Sequence, residues 1–585
     1  MTGLLDAGGD ARSLDSPRDT KGRRQISQVP YMPGLDGLRA VAVVAVMVYH
    51  ANSDWLPGGY LGVEVFFVIS GYLITLLLIA ESERTGHIDL KSFWFRRFRR
   101  LLPALFLMML LLSIWVALFE QDALGKLRGD VIAGASYFSN WYQIWIGAGY
   151  SAGADFAPLR HLWSLAVEEQ FYLVWPLVMI GFLKSGSRNI AGIARWLFLG
   201  AIAISVIVAL LSYGGVQQSP ELTPDAYWNI GDRAISKPDA LYLSTISRAS
   251  GLMLGAAFAM IWRPAAVMRG PLREKAGWFD AGAGIGFGVL ALLCWFVSFN
   301  PAQGVHGFLF NGGLLVTDFA TLAVIAAITH QAAVTGRLLS HPILLWIGTR
   351  SYGLYLYHWP IYQIIRNIAA NKLQFHEFVL AMVATCIITE LSYRYVETPI
   401  RKGGVRALWT RRADGSGRAP SPRRGPVIIG GLAAAGLTVY AGASMATAEL
   451  KQNAVAEQLE AAQEFTCDTL RDLDCDGVLD LDEDGNPIDA TEADAESDAD
   501  PGTEPVEGQV DGADPAAVTD ETIAAESTTT TTQAPAPVSG RIAVGDSVML
   551  GAAQQLSELG VGVDALECRA WVNGVDYGQR LGQQV

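Results

Sequence analysis

Residues 35–50 read LDGLRAVAVVAVMVYH, an apolar run with an arginine at position 39 and a histidine at position 50. Read as a helix, the eleven steps from Arg39 to His50 cover about 16 Å in nearly three turns, which places both side chains on roughly one face at different depths. An ionisable group inside so apolar a helix is costly, and it marks a functional position when the helix crosses a bilayer. Histidine also takes a proton from a hydroxyl near neutral pH better than any other side chain. The plainer reading, a histidine that bonds a neighbouring helix, stays open on these residues alone.

The rest of the chain supports the bilayer as solvent. It has 585 residues, 51% hydrophobic and only 17% charged, which disfavours an ordinary soluble enzyme. Apolar windows of membrane-crossing length recur near 38–53, 61–80, 101–119, 163–183, 196–213, 241–262, 278–299, 312–330, 342–366, 377–396 and 425–446. These predict an all-α polytopic membrane protein of about eleven spans. Basic residues fall in every second connection: Arg84 to Arg100, Lys184 to Arg195, Arg263 to Lys275, Arg337, and Arg401 to Arg424. The positive-inside rule then puts the N-terminus in the cytoplasm and, with an odd span count, the C-terminus outside. Val131 to Gly147 is apolar but breaks that alternation if counted, so it is read as a non-spanning element; its Ser, Asn, Gln and Trp residues suit the border of a wet cavity. Residues 1–30 are polar with no signal peptide before the first span, as expected of a disordered cytoplasmic tail.

The expected domains are 31–402, a membrane domain of ten helices; 403–424, a basic cytoplasmic loop; 425–446, an eleventh span; and 447–540, an acidic extracytoplasmic linker. The net charge of −14 hides a division: residues 447–585 hold 30 acids and 5 bases, leaving 27 acids and 38 bases before them. Within the linker, Asp472, Asp474, Asp476, Gly477, Val478, Asp480 and Glu483 take loop positions 1, 3, 5, 6, 7, 9 and 12 of an EF-hand. That spacing surrounds one calcium ion with carboxylates while glycine makes the sharp turn; a plain acidic spacer is the alternative. Cys467 and Cys475 are free to bridge if the tail is outside, whereas Cys294 and Cys386 sit in apolar runs as small hydrophobes. From Arg541 the pattern RIAVGDSVMLGAAQQL turns globular, reading as strand, turn and helix. About 45 residues rarely build a core alone, so 541–585 reads as the first part of a truncated soluble domain.

Five blocks in order, LDGLRAVAVVAVMVYH (35–50), GGYLGVEVFFVISGYLIT (58–75), FRRFRRLLPA (95–104), HLWSLAVEEQFYLVWP (161–176) and SYGLYLYHWP (351–360), resemble the acyltransferase family 3 membrane proteins. The resemblance covers about residues 31–402. It implies ten spans, acyl-CoA as donor and acylation of envelope glycans, with an eleventh span leading to an SGNH domain in fused members. It places the family's Arg-x10-His motif on Arg39 and His50, with His50 as the catalytic histidine, and an Arg-x-x-Arg motif on Arg97 and Arg100. An arginine cluster offers bidentate donors to the phosphates of acyl-CoA. Many relatives carry Asp in the block where this chain has Glu64, one methylene longer. The Gly545-Asp546-Ser547 triplet resembles the first block of SGNH enzymes, in which Ser547 would be the nucleophile; the later Asn and Asp-x-x-His blocks do not occur before Val585.

On the residues themselves, Ser164 and Glu168 lie four apart on one helical face near the outer end of a span, with Glu169 turned away. Glu168 has three open roles: orienting His50, binding a glycan hydroxyl, or being hydrated at the interface. Tyr355 and His358 on a later span would line the same cavity or pack as anchors. The expected function is a membrane O-acyltransferase that moves an acyl group, acetyl by expectation, from cytoplasmic acyl-CoA to hydroxyls of an extracytoplasmic polysaccharide or glycolipid. His50 is its base, or else its acyl carrier; no nucleic-acid partner is expected. Two rivals remain: a transporter or flippase that uses the buried charges as a substrate path, and a catalytically silent envelope scaffold.

Overall fold

The structure is a computed structural model that describes residues 29–149, 156–184, 189–220, 222–231, 233–300, 304–369, 372–402, 424–449, 542–545 and 562–565. The chain divides into two compact units, Met1–Lys451 and Gln452–Val585.

The first unit is helical, and its long helices begin and end where local chemistry allows. Helix α1 (Pro33–Ala51) starts with proline in its first turn, where no amide partner is lost. Helix α2 (Gly62–Thr85) stops at Gly86, whose φ of 80° suits glycine best. Helix α3 (Leu90–Phe119) is capped by Asp89, whose carboxylate accepts from the Ser92 amide at 3.0 Å. Two short helices follow, α4 (Leu124–Ala135) and α5 (Ser139–Trp145), with Tyr137 between them at a positive φ of 54°. Twelve residues in α4 extend only about 18 Å, well short of a hydrocarbon core about 30 Å thick. The segment expected not to span is thus two short pieces. Gln170 staples it by donating to the Tyr137 carbonyl at 2.9 Å and to Asn140 at 3.0 Å.

Helices α6 (Leu162–Lys184) and α7 (Ile190–Leu211) come next. A small antiparallel hairpin, β1 (Tyr227–Ile230) with β2 (Arg233–Ser236), pairs Tyr227 with Ser236 and Ile230 with Arg233. The span expected at 241–262 is broken at Ser244 into α8 (Lys237–Leu243) and α9 (Thr245–Ile261). Then follow α10 (Ala276–Phe296), α11 (Leu314–Thr329), α12 (Pro342–Thr349), α13 (Ser351–Ala369), α14 (Phe375–Ser392) and α15 (Arg424–Thr447).

Among the described residues, nine helical stretches are long and apolar enough to cross a membrane, and the protein is a multi-pass membrane protein. The two further spans expected at 342–366 and 425–446 are also helical. The first is interrupted at Arg350, and its second half, α13, carries polar residues that neighbouring helices bury, including His358 and Gln363. Outward faces are apolar, with Leu210, Trp278, Ile285 and Leu380 well exposed, as required of helices whose neighbour is lipid.

Close helix contacts are made through small residues. A Cβ on Gly71 of α2 would lie 2.0 Å from the Leu252 carbonyl oxygen, and one on Gly255 of α9 would lie 2.2 Å from that of Val68. Glycine therefore sets how nearly α2 and α9 approach. Helix α1 meets α12 in the same way: a Cβ on Gly37 would lie 1.9 Å from the Leu339 carbonyl, and one on Gly348 would lie 1.8 Å from that of Asp36.

In the second unit two strands are described, β3 (Ile542–Gly545) and β4 (Gly562–Ala565), paired in parallel with Ile542 opposite Gly562 and Gly545 opposite Ala565. The strand expected after Arg541 is β3. Ser547, Cys467, Cys475, Cys568 and the expected calcium ligands Asp472, Asp474, Asp476, Val478, Asp480 and Glu483 lie outside the described residues.

Candidate active site

Helix α1 carries Arg39 in its second turn and His50 in its last. At the arginine end, Asp36 accepts from the Tyr31 hydroxyl at 2.8 Å and pairs with Arg39 at 3.1 Å. At the other end Arg366 of α13 donates to the carbonyl oxygens of His50 and Ala51. These are orphan carbonyls of a helix terminus, so a buried guanidinium here fixes the backbone that bears the imidazole.

His50 is buried, and its Nδ1 lies 2.8 Å from Nε2 of His358, with the two rings stacked at an interplanar angle of 7°. His358 Nδ1 is 3.0 Å from the Leu354 carbonyl. A carbonyl can only accept, so His358 carries its proton on Nδ1 and, when neutral, presents a lone pair at Nε2. His50 therefore donates from Nδ1. Its own Nε2 is left as the basic nitrogen, the one able to accept a proton from a substrate.

A third imidazole joins them. His161 is buried, donates from Nε2 to the Leu356 carbonyl at 3.1 Å, and lies with its ring centroid 5.9 Å from that of His358. Its Nδ1 lone pair has no donor among the described residues. Ser164, one turn further along α6, is 2.7 Å from the Tyr355 hydroxyl, and Tyr355 donates to the His161 carbonyl at 3.0 Å. Trp359 tilts over His50 at 4.7 Å. Three histidines, a serine and a tyrosine from α1, α6 and α13 thus converge in one buried place.

Glu168 takes a different partner from the one the sequence left open. Its carboxylate accepts from Ser70 of α2 at 3.0 Å and from Tyr172 at 3.3 Å, and Tyr172 also donates to Ser70 at 2.8 Å. His358, not Glu168, holds His50. Arg97 lies 4.0 Å above the Tyr172 ring, so the carboxylate network continues directly into the arginine group.

The arginines of the FRRFRR block divide by role. Arg99 donates to the carbonyls of Ile400 and Arg401, the latter at 2.9 Å, and so closes the end of a neighbouring helix; Arg96 pairs with Glu81 at 3.5 Å. Arg97 and Arg100 make no ion pair among the described residues, and Arg100 lies within electrostatic range of Arg39, Arg97 and Arg401. A surplus of guanidinium groups with no carboxylate to match attracts an anion with several charges. Glu64, near the start of α2, is fully buried against Arg248 at 2.8 Å.

His161, Arg366, Arg248 and Asp318 were not singled out by sequence reasoning. His161 opens a block already quoted for its family resemblance. The other three are charged residues inside apolar runs, which is itself the signal by which they are found.

A fold of membrane-crossing helices built around a buried histidine group and an arginine group matches a known class. The acyltransferase domain that defines the acyltransferase 3 family matches residues 32–394, and the chain belongs to that family. It is 38% identical over 380 residues to the peptidoglycan O-acetyltransferase OatA of Listeria monocytogenes, covering 64% of this chain and 56% of that protein. It is likewise 38% identical over 395 residues to the O-acetyltransferase OatA of Staphylococcus aureus, covering 67% of this chain and 61% of that one. The chain thus spans about three fifths of the length of the curated relatives it matches. No solved structure matches it.

Proposed function

We propose that this chain is a membrane O-acetyltransferase of a cell-envelope glycan, with acyl-CoA as donor and His50 as general base. The observation that carries the reading is the His50–His358 pair, buried and bonded at 2.8 Å, on a helix whose other end bears Arg39 within range of Arg97 and Arg100. The arginine end faces the cytoplasm in this proposal, in keeping with the basic connections on that side. There Arg97 and Arg100 grip the donor's phosphates while the pantetheine arm carries the thioester toward the histidines.

The acceptor hydroxyl gives its proton to Nε2 of His50 as its oxygen attacks the thioester carbonyl. A C–O bond forms, the C–S bond breaks, and the thiolate leaves and is reprotonated from the imidazolium. His358 holds the ring in the productive tautomer throughout, and holding both reactants in line supplies much of the acceleration. In a chain extended beyond Val585, Ser547 is a further acceptor for the acyl group before the glycan.

The test uses the full chain in nanodiscs with labelled acetyl-CoA and a soluble peptidoglycan fragment, followed by mass spectrometry of the glycan. His50→Ala is expected to abolish transfer without altering expression or melting. Wild-type rates in that variant would remove the catalytic assignment, and absence of transfer by the unmodified chain would favour a transporter.

A further inference from the structure

Glu64 of α2, Arg248 of α9 and Asp318 of α11 meet in the interior, with relative exposures of 1%, 1% and 0%. Arg248 donates from one terminal nitrogen to Glu64 Oε2 at 2.8 Å and from Nε to the Tyr242 carbonyl at 2.9 Å. Its guanidinium also lies 4.2 Å above the Tyr242 ring and 5.7 Å from that of Trp163, the residue just before Ser164. One positive charge is thereby matched by one carboxylate. Asp318 is a second carboxyl in the same place. Neither of its oxygens, nor Oε1 of Glu64, receives a donor from the described residues.

The two acids instead face each other. A Cβ built on Gly251 would lie 2.3 Å from Glu64 Oε1 and 2.8 Å from Asp318 Oδ1, so both oxygens press on one point of the α9 backbone and stand within hydrogen-bonding range of each other. Glycine is required there because a methyl group would occupy the space the acids share. Two ionised carboxylates in such contact, with a single guanidinium, leave one uncompensated negative charge in a dry interior, where charge is least tolerated.

We propose that Glu64 and Asp318 form a proton-binding carboxyl pair, with one proton held between them and resident on Asp318, so that the cluster with Arg248 is neutral. Asp318 is then a hydrogen-bond donor to Glu64, and the pair ties α2 and α11 together through a bond that exists only while the proton is present. The cluster lies against Trp163, so it also braces the stretch of α6 that bears His161 and Ser164. The facing charged groups are Glu64 and Arg248, with the phenols of Tyr60 and Tyr242 beside them.

The experiment compares Asp318→Asn, Glu64→Gln and the double variant of the full chain in nanodiscs, read by thermal unfolding and by infrared difference spectroscopy in light and heavy water. Either single amide keeps one carboxylate for Arg248, so each single variant is expected to melt within about 2 °C of wild type. The double variant strands the guanidinium and is expected to lose far more than the two shifts combined. Wild type minus Asp318→Asn should show the carbonyl band of a neutral carboxylic acid, displaced on deuteration. Absence of that band would overturn the proposal. So would additive shifts in the double variant, or melting that falls when sodium and potassium are replaced by a bulky organic cation, since a bound metal cation would then balance the charge. None of these readouts depends on acyl transfer.

Discussion

Replacing His358 tests the tautomer argument directly. Its Nε2 is the acceptor for His50 Nδ1–H at 2.8 Å, and no other described side chain takes that bond. Truncation in His358→Ala leaves a buried donor unsatisfied, a loss of about 1–3 kcal/mol. If the bond is made fully only when His50 becomes an imidazolium, that loss falls on kcat, a decrease of about 5- to 150-fold at ~1.36 kcal/mol per decade. The KM for the donor should change little, because His358 contacts neither arginine group. His358→Gln supplies an amide oxygen that accepts from Nδ1–H and should recover part of the rate. The assay is steady-state transfer of labelled acetyl to a soluble glycan fragment at saturating acceptor. Equal rates for wild type, Ala and Gln, or a change confined to KM, would refute the orienting role.

Arg97→Ala and Arg100→Ala should each weaken donor binding by about 1.5–3 kcal/mol, the worth of a charge-assisted bond, measured by calorimetry with acetyl-CoA; unchanged binding in the double variant would leave them as topology anchors. Gly37→Ala should cut expression and melting temperature, because its methyl would sit 1.9 Å from the Leu339 carbonyl at a cost of about 1–3 kcal/mol of overpacking. Gly181→Ala, with open space around it, is the matched control. In the acidic segment, millimolar calcium should protect residues 448–490 of the full chain from proteolysis, and Glu483→Gln should abolish that protection by removing the bidentate ligand; equal cleavage with calcium or chelator would leave a charged spacer.

The helices were legible because each apolar run is close to the thickness of a bilayer and basic loops punctuate them. The site was legible in its parts and not in its pairings. His50 stands out as an imidazole in a run of valines and alanines, but nothing local to it says that its partner lies 308 residues away. Glu168 shows why: adjacency on α6 suggested a link with the histidines, whereas packing of α2 against α6 gave it Ser70. Such choices are made by interhelical register, which periodicity does not encode. Asp318 was within reach of sequence reasoning, as an acid in LLVTDFATL, yet its meaning depends on Glu64 and Arg248 arriving from two other helices.

Because α1 is one uninterrupted helix wedged backbone to backbone against α12, Arg39 and His50 are two marks on a rigid rod. Changing the number of residues between them by one would turn the imidazole about 100° around the helix axis, away from His358, and move it about 1.5 Å along it. Adding four residues would nearly restore the facing but displace the ring by about 6 Å, past its partner. Side-chain identity along residues 40–49 is therefore open to exchange among apolar residues, while their number is not.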